Sequence, residues 1–168
     1  MRLVTMKFSA SQTTARVVDQ LCAGLRLPRK DLNLNEGVSL GPQDCLIAAF
    51  PVFSGRLPAF FQAWMNQIQG RNTPAVAIVV YGNRAYEDAL LELSDALSAA
   101  GFTVVGAAAV VAQHSIFPTV ANGRPDAADF AGIAHFARAL LEKGLDAAHP
   151  MISSIPGQRL TGKLRRCR

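Results

Sequence analysis

Short apolar runs alternate along the chain with longer segments in which apolar residues recur every three or four positions. Apolar runs without polar alternation are typical of strands buried on both faces of a parallel sheet, and the periodic segments are typical of amphipathic helices. Their alternation predicts βαβ units and therefore an α/β domain. The predicted strands cover residues 3–8, a weak, partly polar edge strand near 32–40, and then 45–50, 75–81 and 103–112.

Four helices are predicted between and after these strands. The second begins near Pro58, which suits a first helical turn, and ends at Gly70. The third covers residues 86–100 and stops at Gly101, and Asp126 caps the fourth. No helical pattern fits between the second and third strands, so a short connection is expected there. The inward stripes are Val17, Val18, Leu21, Cys22 and Leu25; Phe60, Phe61, Trp64, Met65 and Ile68; Ala89, Leu90, Leu93 and Leu97; and Phe130, Ile133, Ala134, Ala137, Leu140 and Leu141.

Length and composition limit the class of protein. The chain has 168 residues, of which 50% are apolar and 17% charged, which fits one globular domain and excludes a disordered chain. No apolar run reaches the roughly 18 residues of a membrane span, and the first residues are too short in apolar content for a signal peptide, so a cytoplasmic protein is expected. Cys22, Cys45 and Cys167 are widely spaced, which predicts reduced structural thiols rather than disulfides or a metal site.

The net charge of +5 is concentrated at the C-terminal end. Basic and acidic residues balance as far as Asp146, and the excess lies in Arg159, Lys163, Arg165, Arg166 and Arg168. A neutral domain over residues 1–146 and a basic, linker-like tail over 147–168 are therefore predicted. Because no aromatic residues interleave with these charges, a solvated end is favoured over a nucleic-acid or membrane arm.

The loop after the first predicted strand is rich in hydroxyl groups. In an open α/β sheet the ligand lies beyond the carboxyl ends of the strands, so this loop, residues 8–14, is a candidate site. Hydroxyls, free backbone N–H groups and the positive end of a helix dipole bind a phosphate without Lys or Arg. The alternative is that Thr13 or Thr14 only caps a helix.

The loop after the third predicted strand, residues 51–58, combines an aromatic residue, a glycine and an arginine. Phe53 suits the border of a flat redox-active ring, and the Gly55 peptide is free to turn its C=O toward a flavin N5–H that exists only after reduction. Arg56 is expected near the ring, where it would favour the anionic reduced flavin and raise its potential. The alternative is an ordinary turn before a helix.

The loops after the last two predicted strands contain further candidates. The segment 81–88 holds both tyrosines of the chain, which suit stacking on a ring, although each also suits packing at a helix start. His114 follows the fifth strand. A lone histidine is more often a hydrogen-bonded loop residue than a catalytic acid, so it is kept only as a candidate lid, and no catalytic residue is predicted.

These loops together resemble those of the flavodoxin family, and the resemblance extends through Leu141. The segments PVFSGRLPAFF, AVAIVVYGNRAYEDALLEL, QHSI and NGRPDAADFA are similar to the flavodoxin half of bacterial fusion proteins in which a ferredoxin with two iron–sulfur clusters follows. The resemblance implies a flavodoxin-like three-layer sandwich with a five-stranded parallel sheet of order 2-1-3-4-5, helices on both faces and no second crossover helix. It also implies FMN as the cofactor.

Residue by residue, the resemblance implies two groups of FMN contacts. Ser9, Ser11, Gln12, Thr13 and Thr14 would surround the phosphate; Phe53, Ser54 and Gly55 would lie on one side of the ring and Tyr81, Gly82, Asn83 and Tyr86 on the other. The family usually has glycine at the position of Gln12, where a left-handed backbone would cost a residue with a side chain about 1 kcal/mol or more. Residues 155–158 resemble the linker to the ferredoxin half, which this sequence lacks, so an iron–sulfur partner would be a separate molecule.

Three functions are consistent with these residues. The first is an FMN protein that carries electrons to or from a redox partner protein, such as a separate ferredoxin. The second is an FMN-dependent reductase or oxidase of quinone-like substrates, with the pocket widened around His114. The third is a flavodoxin-like module that has lost FMN and serves as a binding domain, since fold alone does not fix function.

Overall fold

The computed structural model describes residues 1–32, 37–148, 150 and 154–157, which form seven strands and four helices. The strands are β1 (Arg2–Lys7), β2 (Arg29–Asp31), β3 (Val38–Leu40), β4 (Asp44–Pro51), β5 (Ile68–Gly70), β6 (Thr73–Tyr81) and β7 (Phe102–Val111). The helices are α1 (Thr13–Leu25), α2 (Phe61–Met65), α3 (Ala89–Ala99) and α4 (Ala127–Lys143).

Five parallel strands form the main sheet, in the order β2-β1-β4-β6-β7. This confirms the predicted order 2-1-3-4-5. The strand order reverses between β1 and β4, and the carboxyl ends of the strands there form the crevice in which open α/β sheets bind ligands. β3 and β5 pair in a separate two-stranded parallel sheet.

The two central strands are buried on both faces because their residues are apolar at nearly every position. Successive side chains point to opposite faces, so Ile47 joins one core cluster and Leu46 the other. The cluster containing Ile47 packs against α1 and α4, and that containing Leu46 packs against α2 and α3. Helices therefore cover both faces, as the sequence predicted.

The second strand of the sheet differs from the prediction. It was expected at residues 32–40, but the strand that pairs with β1 is Arg29–Asp31, and Val38–Leu40 belongs to the small sheet. β2 is exposed and polar throughout, so it carries no hydrophobic signal. Residues 33–36 of the predicted strand lie outside the described part of the chain. No helix lies between β2 and β4 among the residues described, consistent with the predicted short connection.

Charged side chains attach the short edge strand β2 to its neighbours. Asp31 accepts hydrogen bonds from Lys7 Nζ at 2.7 Å, from Arg29 Nε at 2.8 Å and from Thr5 Oγ1. Partial burial acts to raise the pKa of Asp31, but these three donors together hold it well below the ordinary value. Arg29 also pairs with Asp19 of α1, at 2.6 Å.

The second helix is shorter than predicted. It covers Phe61–Met65, and Ile68, expected on its inward face, instead begins β5 and pairs with Val38. Ile68 is buried in both arrangements, so its helical spacing could not distinguish them. The N–H of Gly70 donates to the carbonyl of Ala100 at 2.8 Å, which fixes β5 beside the end of α3.

α3 ends and α4 begins where the sequence predicted. Gly101 follows α3 with φ +85°, a conformation that favours glycine. The Asp126 side chain accepts hydrogen bonds from the N–H groups of Ala128 and Asp129, and the Asp129 side chain accepts one from Asp126 N–H, which completes a capping box. α3 begins at Ala89 rather than near residue 86, because Glu87 has φ +42° and interrupts the helix.

Two of the three cysteines lie among the described residues, and both are buried free thiols. Burial raises the pKa of Cys22 and raises that of Cys45 to about 12. Cys167 falls in the part of the tail that is not described. None of the described helices is both long and apolar enough to cross a membrane.

Candidate functional site

A cleft of about 460 Å³ opens at the carboxyl edge of the sheet, between the loops that follow β1, β4, β6 and β7. Its position is the topological switch point between β1 and β4, the usual ligand site of this architecture. Its volume lies in the range of small-molecule pockets, about 300–1,000 Å³. The cleft is therefore the candidate functional site.

The β1–α1 loop supplies the hydroxyl-rich end of the cleft. Ser11, Thr13 and Thr14 line it, and the hydroxyls of Ser11 and Thr13 lie 3.1 Å apart. Ser9 faces the helix instead, where its Oγ accepts a hydrogen bond from the N–H of Ala15 at 3.0 Å. The N–H groups of Thr13 and Thr14 have no hydrogen-bond acceptor among the described residues, so the N-terminus of α1 is free to receive an anion.

Gln12 has a left-handed backbone at the position where flavodoxins usually have glycine. Its φ is +61° and ψ −2°, and its side chain is exposed and does not line the cleft. A residue with a Cβ pays a steric cost in this conformation, so the loop keeps a glycine-like backbone without a glycine.

The β4–α2 loop makes a tight two-residue turn beside the cleft. The N–H of Phe53 donates to the carbonyl of Arg56 at 2.8 Å, and the N–H of Arg56 donates to the carbonyl of Phe53 at 3.1 Å. Ser54 and Gly55 between them have φ of +50° and +78°, which is typical of a type I′ turn. Phe53, Ser54 and Gly55, which were expected on one side of a ring, all line the cleft.

Carboxylates at the start of α3 hold this turn. Arg56 Nη1 lies 3.6 Å from Asp88 Oδ2, and Arg56 Nε lies 3.9 Å from Glu92 Oε2. Glu92 Oε2 also accepts a hydrogen bond from the N–H of Leu57 at 3.2 Å. A Cβ on Gly55 would lie 2.2 Å from Glu87 Oε2. The Arg56 side chain, which was expected near a bound ring, is thus directed to α3 and does not line the cleft.

The β6–α3 loop forms the opposite wall through Tyr81 and Gly82. Tyr86 does not line the cleft. It packs edge-on against Tyr81, with ring centroids 5.3 Å apart at 67°, and contacts the core beneath α3. Asn83 is exposed, with φ +59°, and also lies outside the lining. Tyr86 therefore positions Tyr81, while Arg84 and Ala85, which the sequence did not single out as ring contacts, line the cleft.

The β7–α4 loop closes the cleft with Gln113, His114, Ser115 and Ile116. His114 Nδ1 accepts hydrogen bonds from the N–H groups of Ile116 at 3.1 Å and Phe117 at 3.2 Å, which hold the ring in the loop. His114 is thus a hydrogen-bonded loop residue, as favoured from the sequence, and also a wall of the cleft. The only sequence signal for this wall was the polar segment QHSI directly after an apolar strand.

The β7–α4 loop is anchored at both of its ends. The side-chain amide of Gln113 donates to the carbonyl of Pro118 at 3.0 Å. The backbone N–H of Gln113 donates to the carbonyl of Arg124 at 2.9 Å. Arg124 makes two hydrogen bonds to Asp129 of α4, and these lower the pKa of Asp129. The loop is therefore fixed to α4 by charge-assisted contacts.

Comparisons with known proteins agree on the fold. No protein-family model matches the chain, and no curated protein matches it in sequence. A flavodoxin from the domain Archaea matches with a TM-score of 0.61 at 14% identity, over 89% of this chain and 100% of that chain. Oxidised flavodoxin 2 from Bacillus cereus matches with 0.62 at 16%, over 85% and 99%. The apo form of an NADH:FMN oxidoreductase, EmoB, matches with 0.54 at 16%, over 82% and 89%.

The chain has the flavodoxin-like fold. At these identities the likeness concerns the backbone, so the content of the cleft rests on the residues of this chain. Eight of the twelve predicted contacts line it, and Ser9, Gln12, Asn83 and Tyr86 do not. The eight are Ser11, Thr13, Thr14, Phe53, Ser54, Gly55, Tyr81 and Gly82.

The cleft carries little formal charge. Among the described residues, Arg84 is the one charged residue of its lining, and no carboxylate lines it. The two basic residues nearest the β1–α1 loop in sequence are used elsewhere: Lys7 pairs with Asp31, and the Arg16 guanidinium lies 5.1 Å from the centre of the Phe130 ring.

Exposed apolar side chains occur in two of the loops that form the cleft. Phe53, 49% exposed, and Ile116, 74% exposed, line the cleft. Phe117 and Val120 follow Ile116 in the β7–α4 loop and are also exposed.

A smaller groove of about 300 Å³ lies between α3 and β7, away from these loops. Ser94, Ser98 and Thr103 line it, and Ile155 covers part of it. Ser94 Oγ is buried and lacks a hydrogen-bond partner among the described residues.

Proposed function

We propose that the cleft binds FMN and that the protein transfers electrons through it. The observation that carries the proposal is the division of the cleft into a hydroxyl-rich end at the α1 N-terminus and a flat, largely apolar end bordered by Phe53 and Tyr81. A phosphate needs the first environment and an aromatic ring needs the second. The fold neighbours described as flavodoxins and as an NADH:FMN oxidoreductase support this choice of ligand.

The residues of the cleft fit such a ligand. Ser11 and Thr13 present hydroxyls, and the free N–H groups of Thr13 and Thr14 present donors, at the positive end of a helix of 13 residues. Phosphate binding would thus use dipoles and hydrogen bonds, without Lys or Arg. The turn at Gly55 and the wall at Gly82 bring backbone close to the cleft without side chains in between.

FMN, when bound, would supply the electron chemistry, and the protein would supply position and electrostatics. Phe53 and Tyr81 would restrict the ring between the β4–α2 and β6–α3 loops. His114 would form part of the far wall. Ser9 and Tyr86 would act indirectly, Ser9 by capping α1 at Ala15 and Tyr86 by supporting Tyr81.

The proposed partner is another redox protein, such as a separate ferredoxin. The exposed apolar residues at the mouth, Phe53, Ile116 and Phe117, lie where an electron-transfer partner would approach a bound ring. Contact through apolar area rather than through charge attraction is therefore proposed.

The second candidate is an FMN-dependent reductase of quinone-like substrates. The β7–α4 loop favours it, because Gln113 to Ile116 extend the cleft beyond the two ring loops and add a histidine side chain to its wall. A fold neighbour described as a putative quinone reductase from Klebsiella pneumoniae is consistent with it.

Titration of flavin-free protein with FMN tests the proposal. A one-to-one complex, seen as quenched flavin fluorescence and a shifted visible spectrum, is expected, with riboflavin binding more weakly because it lacks the phosphate. Ser11→Ala with Thr13→Val should remove this preference for FMN, whereas Ser98→Ala in the α3–β7 groove should not. Protein that leaves the flavin spectrum unchanged would overturn the proposal in favour of a module without FMN.

A second assay separates carrier from reductase. The holoprotein is mixed with NADH or NADPH and a soluble benzoquinone, with no other protein present. A carrier leaves the nucleotide unoxidised, whereas a reductase turns over.

A further inference from the structure

The charge balance around the cleft points to a residue that would tune the cofactor. Arg84 lines the cleft, is exposed, and forms no ion pair with any described residue. The other arginine of the ring loops, Arg56, is neutralised by Asp88 and Glu92. Among the described residues, Arg84 is therefore the charged side chain that lines the cleft, and it is on the β6–α3 loop.

Three carboxylates lie near the cleft without lining it. Asp88 and Glu92 face Arg56, and the Glu87 carboxylate packs against Gly55. On the facing loop, His114 Nδ1 accepts hydrogen bonds from two backbone N–H groups. These groups stay in place when Arg84 is replaced, so a change in potential would report the charge of Arg84.

Resting on the proposed function, we propose that Arg84 raises the reduction potential of bound FMN by stabilising its reduced, anionic form. Two electrons from a reductant such as dithionite, with uptake of one proton at the ring, leave the ring with one more negative charge than the oxidised form. A cation at the cleft attracts the reduced form more than the oxidised form, and this difference in affinity is the shift in potential. The effect resembles the role expected for Arg56 but belongs to a different side chain.

Because Arg84 is exposed, its interaction is screened by salt and is of moderate size. We expect Arg84→Gln to weaken binding of reduced FMN about three- to tenfold relative to oxidised FMN; a tenfold change corresponds to about 30 mV for a two-electron couple. Arg84→Gln should therefore lower the reduction potential, and Arg84→Lys should keep it near the wild-type value. The difference between the wild type and Arg84→Gln should shrink between low salt and about 0.5 M KCl.

The test is a redox titration of the FMN-loaded protein against a dye of known potential, for the wild type, both Arg84 variants and Arg138→Gln. Arg138 is an exposed arginine on α4 that does not line the cleft, so its removal changes net charge equally without the local effect. Equal potentials for the wild type and Arg84→Gln, or an equal shift in Arg138→Gln, would overturn the inference. Failure of every form to bind FMN would instead overturn the proposed function.

Discussion

Gly82 and His114 are in direct contact across the cleft wall. A Cβ on Gly82 would lie 2.8 Å from His114 Cδ2 and 3.0 Å from its Cα. The second atom belongs to backbone, which cannot rotate away as a side chain can. Glycine at position 82 is therefore what allows the β6–α3 and β7–α4 loops to meet.

Gly82→Ala is expected to force these loops apart. Overpacking of this kind costs about 1–3 kcal/mol, and each kcal/mol lowers the melting temperature of a domain of this size by about 2–4 °C. Calorimetry measures the loss, and FMN titration should show weaker binding to the distorted wall.

Gly132→Ala is the matched control, because an added Cβ there meets nothing within 4 Å and Gly132 lies inside α4. It should stabilise the protein by about 0.5–1 kcal/mol, since alanine is the better helix former. Equal effects of the two substitutions would contradict the contact described between Gly82 and His114.

Gln12→Gly is predicted to stabilise the protein. The left-handed backbone at Gln12 costs about 1–2 kcal/mol for a residue with a Cβ. Glycine removes this strain, but it also gives the unfolded chain more conformational freedom, which offsets about half of the stability gained. A net gain of about 0.5–1 kcal/mol is expected in denaturant unfolding. Gln20→Gly, within α1, should destabilise by about 1 kcal/mol. A loss of stability in Gln12→Gly would show that the φ of +61° is not strained.

Asp31 is predicted to make the stability of the edge strand pH-dependent. Because its pKa is lowered in the folded state, the unfolded chain binds the proton more readily, and the contribution of Asp31 is complete above about pH 5 and is lost progressively as the pH falls below that value. Asp31→Asn should therefore reduce stability at pH 7, by about 1 kcal/mol or less because the side chain is 56% exposed.

Urea unfolding of the wild type and Asp31→Asn at several pH values measures this contribution. The difference in their free energies of unfolding should become smaller as the pH falls below 5. It should also be smaller in a Lys7→Gln background, which removes one of the three donors. A difference that grows on acidification would contradict the sign of the shift.

The sequence predicted the parts of the fold that depend on long apolar patterns. β4 and β6 are apolar at nearly every position, so their place at the centre of the sheet could be read directly. β2 could not, because its three residues are exposed and charged and are held by β1 and by Lys7. The end of α2 was also misplaced, since the position of Ile68 suits both a helix and the pairing with Val38.

The sequence predicted the loops of the site but not the direction of every side chain in them. Loop composition indicated which segments reach the carboxyl edge, but it did not indicate side-chain direction. Arg56 and Arg84 are both arginines in ring loops, and only the carboxylates of α3 decide that Arg56 turns away from the cleft. Tyr86 was placed in the correct loop but packs behind Tyr81, a tertiary contact that no local pattern specifies.

The most direct test of FMN binding in the cleft is amide NMR of isotope-labelled, flavin-free protein during addition of FMN. If FMN binds in the cleft, the amide signals of all four loops should shift, including those of Thr13, Gly55, Gly82 and His114. The amide signal of Ser98 in the α3–β7 groove should stay unchanged. Shifts confined to the α3–β7 groove, or no shifts with excess FMN, would contradict binding in the cleft.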